Sequence, residues 1–205
     1  MRIRLPLFVL FEGIDGSGKT TLADTVARHF SAAGVPVARL GEPTDGVWGR
    51  RIRALLRGNA MPPPEEQMAL FLEDRADDVA RNIRPALADG RLVVMDRYYF
   101  SNAAYQGAAG LSPAHVIEEN RARNFPEPDR VYLADVAPEE ALRRIEARNA
   151  GTGATELFER REFLASVRAT YRALTDERFV ILDAALPPDA LAALVIDDMH
   201  ARFGM

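Results

Sequence analysis

Eight consecutive residues, Gly13-Ile14-Asp15-Gly16-Ser17-Gly18-Lys19-Thr20, complete a G-x-x-x-x-G-K-T pattern. An apolar run, Leu7-Phe8-Val9-Leu10-Phe11, precedes it, and a helical pattern of Leu22, Val26, Ala27 and Phe30 follows. Strand, glycine turn and helix are the setting in which successive backbone N–H groups converge on one concavity backed by the positive end of a helix. The pattern predicts a phosphate cradle made by residues 13–20. Lys19 is placed to reach the outer phosphates of a nucleotide, and the Thr20 hydroxyl to hold Mg²⁺.

The rest of the chain agrees with that start. Short apolar runs at Leu7–Phe11, Val35–Leu40, Leu92–Met95, Arg130–Leu133 and Phe179–Leu182 read as strands buried on both faces. Helical patterns separate them at Thr20–Ala32, Val47–Leu56, Glu65–Leu87, Ala114–Asn120, Glu139–Arg148, Leu157–Leu174 and Asp189–Ala201. Alternating strands and helices predict an α/β fold, a three-layer sandwich around a five-stranded parallel sheet. Residues 149–156 are small and Gly-rich between two Arg-bearing helices, which suggests a mobile segment where a helical lid at about 144–160 is the expectation. No repeat and no long linker divides the 205 residues, so one domain is expected.

Composition narrows the function classes. A formal net charge of −4 gives no support for a nucleic-acid-binding surface. No stretch approaches the length of a membrane span, and the N-terminal apolar run flows into the glycine turn rather than into a cleavage site. Cysteine is absent, which removes thiolate chemistry and fits a reducing, cytoplasmic setting. Three scattered histidines, His29, His115 and His200, do not suggest zinc.

Three further clusters carry chemistry. Asp96-Arg97-Tyr98 closes the third strand, where ligands of open α/β sheets gather. There Asp96 either organises Mg²⁺ and Arg97 grips a phosphoryl group, or the two form an ion pair at a strand end. Phe71 and Arg75 share a helix face, which suits stacking on and bonding to a planar base; Phe71 among Met68, Leu70 and Leu72 also suits a core position. Arg143, Arg144, Arg148, Arg160 and Arg161 flank the Gly-rich segment. They read either as an arginine-bearing lid that neutralises a phosphoryl group in flight, or as a solvated helix pair with Arg–Glu contacts.

With these motifs in view, the chain resembles the thymidylate kinase family over essentially its whole length. The resemblance is carried by Phe11-Glu12-Gly13-Ile14-Asp15-Gly16-Ser17-Gly18-Lys19-Thr20-Thr21, by Glu42-Pro43-Thr44-Asp45-Gly46, and by Phe71-Leu72-Glu73-Asp74-Arg75. The most specific stretch is Asp96-Arg97-Tyr98-Tyr99-Phe100-Ser101-Asn102-Ala103-Ala104-Tyr105-Gln106-Gly107. It implies ATP- and Mg²⁺-dependent phosphorylation of dTMP to dTDP by direct in-line transfer. It implies that Phe71 stacks on thymine, Arg75 bonds its edge, and Arg97 binds the acceptor phosphate. Asp15 would lie near the sugar and the reacting phosphates, while Asn102, Tyr105 and Gln106 would line base and deoxyribose. Thr20 and Asp96 would serve the metal. The loop positions Ile14, Asp15, Gly16 and Ser17 hold no arginine, as in the bacterial type, whose lid supplies it; Arg148 and Arg144 are the candidates ahead of Arg160. A homodimer packed through helices near Met68–Leu72 is also implied. One departure is Gly41, where many relatives have arginine before the Glu-Pro pair; Arg50 or Arg53 are possible replacements. The rival readings are another deoxynucleoside or nucleoside-monophosphate kinase, and a nucleotide-dependent switch or assembly ATPase.

Overall fold

The computed structural model describes residues 3–58, 60–149 and 161–204. Five strands, β1 (Leu7–Glu12), β2 (Val37–Gly41), β3 (Leu92–Asp96), β4 (Arg130–Asp135) and β5 (Phe179–Asp183), form one sheet in the order β2-β3-β1-β4-β5. Every pairing is parallel. The described helices are α1 (Lys19–Ala32), α2 (Val47–Arg57), α3 (Pro64–Asp78), α4 (Arg84–Ala88), α5 (Tyr99–Ala108), α6 (Pro113–Ala122), α7 (Pro138–Asn149), α8 (Arg161–Ala173) and α9 (Pro188–Phe203). The expected five-stranded parallel sheet flanked by helices is the fold.

All six β1 residues are buried, and in β3 Leu92, Val93, Val94 and Met95 are too, as continuous apolar runs require when helices cover both faces. Four strands, β1, β3, β4 and β5, end in a carboxylate, Glu12, Asp96, Asp135 and Asp183. Sequence patterning stopped one or two residues short of each because a terminal acid interrupts the apolar run. β2 begins at Val37 rather than Val35: the intervening Pro36 lacks an N–H for a ladder.

Two helices depart from expectation. The pattern over Glu65–Leu87 is not one α-helix. α3 passes into a wider π turn at Val79–Ile83 before α4. Pro85 is the physical reason, since it has no N–H to donate and its ring crowds the preceding turn. α5 was not anticipated at all. Its residues 99–106 are buried around the whole helix, so no polar face gives it an amphipathic period. The remaining helical expectations hold with shifted ends, and 157–160 of the Leu157–Leu174 pattern lies outside the described residues. Among the described residues no helix is long and apolar enough to cross a membrane.

Candidate active site

Residues 13–18 turn sharply from β1 into α1. Gly18 precedes α1 with φ 88° and no side-chain cap, so the first amides of α1 are left to a ligand. Gly16, at φ 79°, lies so close to the carbonyl of Ala141 that a methyl group there would collide with α7. Glycine is demanded here by both backbone angle and clearance. Lys19 is buried and its Nζ donates to the Ile14 carbonyl at 3.3 Å, 3.8 Å from Asp15 Oδ1. Burial and the neighbouring Arg97 lower the Lys19 ammonium to about 8, against the pull of Asp15, Asp96 and Glu12.

Thr20 Oγ1 donates to Asp96 Oδ2 at 2.6 Å, and Asp96 Oδ1 is buried with no partner among the described residues. A hydroxyl and a carboxylate with an unsatisfied oxygen, at the mouth of a phosphate loop, make a hard-oxygen donor pair that fits Mg²⁺ completed by water and nucleotide oxygens. No group of three or more His, Cys, Asp or Glu suited to an all-protein metal cage occurs among the described residues. Arg39, from β2, stands beside this pair: it bonds Asp24 at 2.8 Å and lies 3.5 Å from Asp96 Oδ2.

Next to the loop opens a cavity of about 240 Å³. Asp15, Pro43, Arg53, Phe71, Arg75, Arg97, Asn102, Tyr105 and Gln106 line it together with the β2 exit and α5. All the residues assigned to the acceptor by resemblance therefore border one space adjoining the phosphate turn. Arg97 joins the two regions. Its Nη2 bonds Asp15 Oδ1 and lies 3.4 Å from the Tyr105 hydroxyl, and its Nη1 donates to Ser101 Oγ at 3.1 Å. The Tyr105 hydroxyl also accepts from the Asp15 amide at 3.0 Å. Burial pushes the Asp15 carboxyl up, but Arg97, Lys19 and Tyr105 hold it below its ordinary value, and Arg148 adds to that pull.

Arg75 is placed less freely than a base-contacting arginine on an open face. It is fully buried, stacked 4.8 Å from the Tyr98 ring centroid. Glu42 takes its Nε and one Nη2 proton, Asn102 takes the other Nη2 proton, and Asn120 takes one on Nη1. One Nη1 N–H keeps no partner among the described residues. Burial drives the Glu42 carboxyl up against the pull of Arg75, and Asp78 and Asp74 push the same way. Phe71, only partly buried, borders the same cavity and is not a core residue. Gln67 holds Gln106 through a 3.0 Å amide contact and is itself fixed by the Pro62 carbonyl at 2.7 Å.

The arginines around the lid divide. Arg144 lies beside the loop, 3.5 Å from the Ser17 carbonyl, and donates to Ala184 O at 2.9 Å and to Glu140 at 2.7 Å. Arg148 is exposed one turn later on α7. Arg143 and Arg161 make exposed pairs with Glu140 and Glu139, as in the solvated-helix reading. Arg160 and residues 150–160 of the expected lid lie outside the described residues. Of the two candidates to replace an arginine at Gly41, Arg53 lines the cavity and donates to the Pro43 carbonyl and to Asp45, whereas Arg50 is exposed.

Sequence reasoning did not single out Glu12, Arg39, Glu42, Gln67 or Tyr171. Glu12 ends β1 before Gly13 and Glu42 follows β2 before Pro43; their place beside a motif glycine or proline is the local signal that marks them. The contacts that tie Arg39 to Asp96, Gln67 to Gln106 and Tyr171 to Glu12 span 57, 39 and 159 residues and leave no local pattern.

The family model described as thymidylate kinase matches residues 11–195. The chain is 37% identical to the thymidylate kinase of Leptospira borgpetersenii over 93% of its own length and 92% of that protein. It is 41% identical to the thymidylate kinase of Solidesulfovibrio magneticus, over 92% and 96%. With that of Xanthomonas euvesicatoria the identity is 39%, over 90% and 79%.

Proposed function

The chain belongs to the thymidylate kinase family, and from that premise we propose that it phosphorylates dTMP to dTDP with ATP. The observation that carries the reading is the junction at Arg97, where one guanidinium faces both the phosphate turn through Asp15 and the neighbouring cavity. A switch ATPase has no need of a second, side-chain-lined cavity beside its phosphate loop.

In this reading ATP phosphates lie on the amides of residues 13–21, with Lys19 against the outer ones. dTMP enters the cavity with its phosphate toward Arg97, its base against Phe71, and its edge polar groups toward the remaining Arg75 proton, Asn102 and Gln106. Tyr105 packs against the sugar end. The acceptor phosphate is already anionic, so alignment and charge neutralisation do the work of a general base. Thr20 and Asp96 would hold Mg²⁺, which supplies positive charge to the phosphates of the donor. Arg144 already lies against the loop, and Arg148 on the next turn extends toward the same region, so these two are the candidates for the transferred group. The cytoplasm, a single domain with a lid at about 144–160, and a homodimer complete the reading. Met68 and Leu72 pack inside the chain against Ala103 and Val116, leaving partly exposed Leu70 for a partner.

A coupled ADP-release assay with dTMP, dUMP, dCMP, dGMP and thymidine tests activity and acceptor together. dTMP should be the best acceptor. dUMP should follow at a kcat/KM about 10–200-fold lower, the scale of one methyl group in an apolar pocket. Faster turnover with thymidine, or ADP release indifferent to the acceptor, would overturn the reading.

A further inference from the structure

The Glu12 carboxylate is fully buried at the end of β1 and does not border the cavity, so it does not touch a substrate there. Yet it gathers four donors from two other elements. Oε1 accepts from the amides of Tyr98 and Ser101 at 3.0 and 3.1 Å. Oε2 accepts from Ser101 Oγ at 2.6 Å and from the Tyr171 hydroxyl at 2.8 Å. The two amides belong to the start of α5, whose N-cap residue Tyr98 provides no side-chain cap. Glu12 supplies that cap from another strand, and a carboxylate is favoured at a helix N-terminus.

Between β3 and α5 sits Arg97, a non-glycine residue at φ 66°. That conformation is sterically disfavoured for a residue with a Cβ and persists only where neighbouring contacts over-determine it. The register pairs Phe11 with Asp96, so Glu12 falls opposite Arg97. Arg97 N bonds the Phe11 carbonyl at 3.0 Å, and the next amide, Tyr98 N, bonds Glu12. The guanidinium is tied to the same carboxylate by a second route, Arg97 Nη1 to Ser101 Oγ to Glu12 Oε2.

We propose that Glu12 is a positioning residue that sets both the backbone and the guanidinium of Arg97, and thereby the affinity for the acceptor's phosphate. The inference rests on the reading of Arg97 as the acceptor-phosphate residue. Tyr171 brings α8 into the same network. One turn earlier on α8, Arg168 makes a paired contact with Asp135 at 2.5 and 2.8 Å. The helix leaving the lid region is thus fastened to the ends of both β1 and β4, and its placement bears on Arg97 through Glu12.

Calorimetric binding of dTMP, thymidine and ATP to wild type, Glu12→Gln, Arg97→Ala and the double variant tests this. Glu12→Gln should weaken dTMP about tenfold, the scale of one misaligned charge-assisted hydrogen bond. It should leave thymidine and ATP within about twofold and add nothing in the Arg97→Ala background, the signature of residues acting as one unit. Equal losses for thymidine and dTMP, or a Glu12→Gln effect that adds fully to Arg97→Ala, would overturn the inference. Unchanged dTMP affinity in Arg97→Ala alone would defeat the acceptor-site reading instead. If Glu12→Gln does not fold, Tyr171→Phe removes one donor away from the cavity. It should give the same selective loss at about threefold, absent in the Arg97→Ala background; no loss, or an additive one, counts against Glu12.

Discussion

The glycine-rich turn and the cavity beside it, the proposed donor and acceptor sites, are built in opposite ways. The turn is contiguous and built chiefly of backbone: residues 13–20 supply amides and left-handed glycines, with Lys19 as the one long cationic arm. The cavity is made of side chains drawn from the loop, the β2 exit, α2, α3, the end of β3 and α5. Arg75 is held by buried Glu42, Asn102 and Asn120 and Arg97 by half-buried Asp15, whereas Asp45, the acid partner of Arg53, is exposed. A site made of backbone fails when its path is bent, and a site made of side chains fails one contact at a time.

Substitutions test that contrast directly. The largest effect is expected for Lys19→Ala, which should lower kcat on the order of 10²–10³-fold while calorimetric dTMP binding stays near wild type. Turnover near wild type would remove Lys19 from the mechanism. Gly16→Ala should damage the fold as well as the reaction. It shares a left-handed backbone with Gly90, worth about 1–2 kcal/mol when alanine is forced into it. Only at Gly16 does the added methyl strike a neighbour, for about 1–3 kcal/mol more. Thermal melts of Gly16→Ala and Gly90→Ala should therefore differ, and equal Tm losses would deny the close approach. Arg97→Ala should weaken dTMP about 10–100-fold and ATP far less, as loss of a charge-assisted contact to one substrate. Matching losses for both nucleotides would erase the boundary between the two regions. The smallest effect is one of pH. Lys19 in the free protein is held near 8 by burial, so its positive charge is present below that pH and lost above it. The kcat/KM for ATP, which reports the free enzyme, should fall as pH rises through about 8. A profile flat to pH 9.5 would contradict this.

The same contrast explains what could be read in the sequence. The turn was legible residue by residue because its partners are neighbours in the chain. The sheet was legible because buried parallel strands are unbroken apolar runs. The cavity was partly legible before family likeness: Arg97 at a strand end and Phe71 with Arg75 on one helix face suggested phosphate and base contacts while ion-pair and core readings stayed open, whereas Asn102 through Gln106 carry no local signature of a pocket. Helix α5 escaped periodicity because burial on every side leaves it no polar face. Arg75 looked like a free fork on a helix surface; its partners Glu42, Asn102 and Asn120 lie 33, 27 and 45 residues away in sequence, beyond the reach of any helical turn, and only the folded chain shows that they occupy most of its protons. Long-range hydrogen bonds such as Glu12 to Tyr171, 159 residues apart, are invisible to any window of sequence.

Lys19 is the sole lysine in the chain. Its ε-amine, tucked against the Ile14 carbonyl, is therefore a built-in chemical reporter. An acylating reagent has one ε-amine to find besides the terminal α-amine, and that ε-amine stands where the donor's phosphates would cover it. The mass of a single adduct, slowed by bound ATP and untouched by dTMP, would turn occupancy of the donor turn into a number read without any turnover.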